Sequence, residues 1–133
     1  MATMERVRGA DGAGTATRKL PFDRALLDRL LDEAGIDVLL VTAKHNVHYL
    51  LGGYRFFFFD QFDAIGVSRY LPLLVYPKGA PEKAIYIGHP MEAYERENDA
   101  FWPELVPRSR TTPESIQLAV DHLKKIGRTG KIG

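Results

Sequence analysis

His45 and His48 stand three residues apart in Lys-His-Asn-Val-His, residues 44–48. On a helix that spacing puts both imidazoles on one face, where they could share a metal ion. Zinc wants three or four protein ligands. The chain has no cysteine, only four histidines and no H-E-x-x-H motif, so no metal site is assigned to it. His89, Glu92 and Glu95 repeat the three-residue spacing, but a charged, solvated helix face explains them without a ligand. Asp60 and Asp63 flank Phe62. Paired carboxylates can divide acid and base work when their surroundings separate their pKa values; here the expectation is a loop carrying two solvated acids. Gly52-Gly53 is followed neither by Lys-Ser nor by a G-x-G-x-x-G pattern, and Ser68 and Ser109 lack a nucleophile elbow. No catalytic residue is assigned, and the residues describe a scaffold or a substrate-positioning domain.

Next to the Gly-Gly pair runs Tyr-Arg-Phe-Phe-Phe-Phe-Asp, residues 54–60. In a strand, successive side chains point to opposite faces, so Phe56–Phe59 cannot all enter one core. Part of the run, with Tyr49, Tyr54 and Phe62, is expected to fill the interior and part to meet a partner. Aromatics beside an arginine, here Arg55, are the residue types enriched at interface hot spots. Stacking on nucleic-acid bases finds no support, since 18 basic against 17 acidic side chains leave a net charge of +1 and no basic stripe.

Positioning these residues requires a domain, and 133 residues suffice for one with a real core. The absence of cysteine fits a reducing cytosol. No apolar run approaches the ~20 residues of a membrane helix, so no membrane partner is expected. Residues 1–19 lack periodicity and read as a flexible tail. Arg6, Arg8 and Arg18 allow a targeting peptide, but Glu5 and Asp11 oppose it. The ordered domain is expected over 20–133. Asp23 suits an N-cap; Leu26, Leu27, Leu30, Leu31 and Ala34 form one apolar face; Gly35 suits the left-handed residue ending the helix. Ile-Asp-Val-Leu-Leu-Val-Thr, residues 36–42, reads as a strand buried on both faces. A short helix or turn follows, ending at Gly52-Gly53. Two strands flanking Pro-Lys-Gly-Ala-Pro-Glu-Lys, residues 77–83, read as a hairpin, with Pro72 arguing for an edge position or a bulge. Pro90 opens a short polar helix. The segment from Phe101 to Ser109 is irregular or a short strand. Thr112 is expected to cap the last helix, with Pro113 in its first position, a buried stripe of Ile116, Ala119, Val120, Leu123 and Ile126, and Gly127 as its stop. Arg-Thr-Gly-Lys-Ile-Gly then leads toward a strand, and the chain is expected to be a fragment of a longer one. The fold class is α/β, a mixed sheet flanked by helices.

This order resembles the N-terminal domain of the creatinase/prolidase family. The resemblance rests on Gly35-Ile36-Asp37 after a helix, the strand, then Asn46, Tyr49, Leu50 and Gly52, and covers residues 20–133. Leu51 departs from the Thr or Ser common before the last glycine. The resemblance implies a ribonuclease-H-like α/β domain without metals, with Asn46, Tyr49 and Gly52 as structural motif residues. It implies that chemistry lies in a C-terminal "pita-bread" domain holding a divalent metal pair. It also implies a homodimer in which the N-terminal domain of one subunit leans over the other's active site. Counted from Asn46, Phe58 falls near the family's substrate-contacting aromatic, whereas its arginine falls near Asp60, which puts creatine as a substrate in doubt. Tyr54, Arg55, Phe56, Phe58 and Asp60 are the resulting substrate-contact or interface candidates.

Two functions follow as expectations. The first is a cytoplasmic, non-catalytic domain of a dimeric Xaa-Pro peptidase-like hydrolase, without a cofactor of its own. The second is a free-standing α/β module binding a small molecule or a protein through the aromatic run.

Overall fold

The computed structural model describes residues 19–54, 56 and 72–133. Helix α1 (Arg24–Ala34) begins where Asp23 accepts a hydrogen bond from the Leu26 amide at 3.0 Å and ends at Gly35, whose φ of +70° is costly for other residues. Strand β1 (Val38–Val41) follows directly, then helix α2 (Lys44–Leu50). Strands β2 (Leu73–Pro77) and β3 (Ile85–Ile87) form the expected hairpin. A 3-10 turn (Pro81–Lys83) lies within the hairpin, and a 3-10 helix (Pro90–Glu97), strand β4 (Glu104–Val106) and helix α3 (Thr112–Ile126) follow it.

The sheet has the order β1-β2-β3-β4. The first two pairings are antiparallel, and β3 pairs with β4 in parallel. Beyond β1, Ile132 bridges Val38 in parallel. There the Gly133 amide donates to the Val38 carbonyl at 3.0 Å, and the Leu40 amide donates to the Gly133 carbonyl at 2.8 Å. Residues 131–133 thus make the strand contact expected after Gly127. The expected mixed sheet flanked by helices is present. One face packs Leu74, Tyr76, Tyr86 and Leu105 against Leu31, Val47, Leu50, Phe101 and Trp102. The other packs Val38, Val75, Ile85, Ile87 and Val106 against Ala119 and Leu123 of α3. Alternate strand residues serve opposite layers, so β2 is buried at every position.

Four expectations need correction. Leu26 and Leu30 are exposed, and α1 buries a narrower stripe through Leu27 and Leu31. Its polar edge explains the rotation. Asp28 Oδ1 accepts from Tyr76 Oη at 2.8 Å and from the Gly79 amide at 3.0 Å, and Arg24 donates to the Gly79 carbonyl at 3.0 Å. These bonds draw that edge onto the hairpin. Second, α3 is capped by Thr111, one residue earlier than expected. Third, α3 buries Ser115, Ala119 and Leu123, leaving Ile116 and Val120 outward. Ser115 Oγ meets Ser109 Oγ at the end of β4, so a small polar residue holds the contact that an apolar one was expected to hold. Fourth, β2 is an interior strand, and Pro72 precedes it rather than marking an edge. Pro77, at its other end, faces Val38, whose own amide and carbonyl are bonded to residues 131 and 133, so no donor is asked of the proline.

Candidate functional site

The described part of the aromatic segment is its root, Tyr54 and Phe56. Helix α2 delivers it. The Trp102 indole N–H donates at 2.7 Å to the Leu50 carbonyl, one of the carbonyls left open at the helix end. Gly52 and Gly53 then turn the chain with φ of +71° and +97°. A Cβ on Gly52 would stand 3.0 Å from the Pro21 side chain, so this turn is also tightly packed.

Tyr54 follows and is half-buried. Its ring meets Phe101 edge-on at 5.2 Å and Tyr86 at 6.1 Å between centroids. Its hydroxyl donates to Glu92 Oε1 at 2.7 Å. Tyr86 Oη donates to the same oxygen at 2.8 Å, and the His89 amide donates to Glu92 Oε2 at 2.6 Å. Glu92 is fully buried. This overturns the solvated face expected for His89, Glu92 and Glu95: Glu92 sits inside, His89 is half-buried and caps the 3-10 helix, and Glu95 lies at the surface edge. The reason is reciprocal capping. His89 Nδ1 accepts from the Met91 amide at 3.1 Å while Glu92 reaches back to the His89 amide. A Cβ on Gly88 would collide with the Glu92 carboxylate, so the preceding glycine makes the space.

Phe56 is buried and stacks on the His89 imidazole, 6.0 Å between centroids and 19° between planes. The ring that opens the phenylalanine run is therefore an interior one, whatever faces Phe57–Phe59 take. Arg55, Phe57, Phe58, Phe59, Asp60, Phe62, Asp63 and Ser68 lie outside the described residues.

Electrostatics follow from this packing. Burial pushes the Glu92 carboxyl up, with Glu95 adding to it, against the pull of its three hydrogen bonds. Burial and the neighbouring Glu92 push the Tyr54 hydroxyl far above its ordinary value, so it stays a donor. Burial lowers His89, and the positive charge of Arg110 lowers it further.

Asn46 and Tyr49 lie on the outer side of α2, and Tyr49 is 66% exposed. They line a cavity of about 310 Å³ with Leu39–Ala43 and Leu50. They stand apart from the Glu92 cluster, whereas Gly52 belongs to the turn that leads to it. A second cleft of about 440 Å³ runs beside Tyr54, between Lys19–Pro21, Gly52 and the end of the 3-10 helix at Glu95 and Asn98. Among the described residues no group of three His, Asp or Glu side chains could hold a metal, and no helix is long and apolar enough to cross a membrane. Ser109 and Ser115 spend their hydroxyls on each other and on the Thr111 carbonyl. What the arrangement does chemically is fix aromatic side chains on a buried carboxyl.

A family profile described as the creatinase/prolidase N-terminal domain matches residues 24–133. The chain belongs to this family. No curated protein matches it. Within this creatinase/prolidase N-terminal domain, the sequence reading missed three polar anchors: Glu92, Asp28 and Asp37. Asp37, of the Gly-Ile-Asp motif, accepts from the Lys131 amide at 3.0 Å and so receives residues 131–133 onto β1. The signal for Glu92 was its place three residues after the helix-capping His89, and that for Asp37 its place in the Gly-Ile-Asp motif; Asp28 carried no local signal beyond its type.

Proposed function

We propose that this domain is a non-catalytic part of a cytoplasmic, dimeric Xaa-Pro dipeptidase- or aminopeptidase-like hydrolase. In this reading a C-terminal domain holds a divalent metal pair and performs hydrolysis. The present domain helps to form the homodimer and bounds the mouth of the partner subunit's active site with the segment that starts at Tyr54. The observation that carries the reading is the buried root: Tyr54 and Phe56 are held by Glu92 and His89, so the segment that follows leaves from a fixed point on the fold. A rim that must meet a substrate gains from such preorganisation.

The test is a set of substitutions in a protein carrying both domains. Arg55→Ala and Phe58→Ala should raise KM for Xaa-Pro peptides while leaving metal content and kcat close to the parent's. Unchanged KM in both variants would overturn the rim role. A second reading, a free-standing small-molecule module, finds its support in the cleft beside Tyr54. It requires ligand-induced shifts at Gly52, Tyr54 and Asn98 in this chain alone.

A further inference from the structure

Glu92 is the one buried carboxyl among the described residues. Among the described residues its hydrogen-bond donors are two phenols and a backbone amide, all uncharged. None of the ion pairs among the described residues includes it. A carboxylate withdrawn from water without a cation carries a desolvation cost that neutral donors offset only in part. A proton removes that cost. The site can hold one without moving heavy atoms, because the Tyr54 hydroxyl can accept as well as donate and so can take the acid's own O–H.

Among the described residues, no positive charge bears directly on the Glu92 carboxyl. The turn after α2 contributes Tyr54 and β3 contributes Tyr86, both phenols. The 3-10 helix contributes Glu95, which adds negative potential at Glu92, and Tyr94, which bears on Tyr54. Its cap, His89, is held toward the neutral form by burial and by Arg110, which lies in the link between β4 and α3.

We propose that Glu92 is a proton-responsive anchor: carrying its proton, it ties the 3-10 helix and β3 to the Tyr54–Phe56 root, and on losing the proton to water it loosens that root. Of the two tyrosines on the carboxylate, Tyr54 gives water the less costly route to it. Tyr86 is fully buried, whereas Tyr54 is half-buried and lines the cleft beside Gly52 and Asn98. Phe56, stacked on His89, would shift with it. The anchor stands whether or not the rim reading does, because it concerns the fold's own carboxyl.

The test is carbon-13 NMR of the 133-residue chain, labelled at the glutamate carboxyls and tyrosine rings, titrated from about pH 4 to about pH 8, a span that covers the ordinary glutamate value of about 4.3 and neutrality. The Glu92 carboxyl should titrate above the ordinary glutamate value, and the Tyr54 ring signals should move with the same midpoint. Between the ordinary value and that midpoint, the opening equilibrium read by exchange of the Gly53 amide should rise about tenfold per pH unit. In Glu92→Gln the Tyr54 signals and this opening should no longer follow pH. A Glu92 carboxyl that titrates at or below the ordinary value, or Tyr54 signals that ignore its titration, would overturn the proposal. The wild-type titration decides the matter even if Glu92→Gln does not fold.

Discussion

Tyr54 and Glu92, 38 residues apart in the chain, meet in a 2.7 Å hydrogen bond that joins the turn after α2 to the 3-10 helix. Their energetic coupling is measurable. Tyr54→Phe removes one donor and should cost about 1 kcal/mol. Glu92→Ala strands the Tyr54 and Tyr86 hydroxyls and the His89 amide together and should cost about 3 kcal/mol. In a double-mutant cycle read by urea unfolding, Tyr54→Phe should cost almost nothing once Glu92 is alanine. Additive losses would show that the bond carries no stability.

His89 gives a pH dependence of definite sign. Burial and Arg110 lower its folded pKa below the unfolded value of about 6.5. A lowered pKa contributes stability above the unfolded value, and that stability is lost as pH falls through the folded one. Protonation would also take the Nδ1 lone pair from the Met91 amide. The wild type should therefore lose stability relative to His89→Asn, which keeps a capping acceptor, when unfolding is compared at about pH 7.5 and about pH 5.5, on either side of that value. A difference that does not change with pH contradicts the assignment.

The contact of residues 131–133 with β1 depends on a close approach. A side chain on Gly130 would collide with the Asp37 carboxylate. Gly130→Ala should displace these residues, and the Gly133 and Leu40 amides, which bond across this edge, should lose hydrogen-exchange protection while Val75 in the sheet interior keeps its own. Equal protection in both proteins would rule the collision out.

The two sides of α3 should respond unequally. Leu123→Ala opens a cavity in the layer under Val75 and Ile85 and should cost about 2–5 kcal/mol. Ile116→Ser and Val120→Ser remove outward side chains and should each stay within about 0.5 kcal/mol. Thermal or urea unfolding of the three variants ranks them; a larger loss at Ile116 than at Leu123 would restore the stripe expected from the sequence.

What the sequence disclosed was what local chemistry decides. Asp23 and Gly35 bound α1 because a capping oxygen and a left-handed glycine act within one turn. The hairpin follows from two short apolar runs around a Pro-Gly turn, and the family from the order of Gly35-Ile36-Asp37 and the Asn46–Gly52 motif. What it hid was set by contacts distant in the chain. Five apolar residues on α1 could not reveal that Asp28 would turn Leu26 and Leu30 outward by bonding to Tyr76. Ser115 stood outside the apolar stripe expected of α3, and it is buried because Ser109 meets it. Glu92 looked solvated because burying an acid requires donors, and two of its three come from Tyr54 and Tyr86 on other elements. Of the candidate residues, Tyr54 and Phe56 join that cluster, while Asn46 and Tyr49 line a separate cavity.

The central claim is that this domain positions and does not catalyse. The direct measurement is release of free proline from Xaa-Pro dipeptides by the 133-residue chain with saturating divalent manganese, followed by mass spectrometry. The account predicts no release above the metal-only blank. Turnover by this chain that persists through purification and scales with its concentration would contradict it.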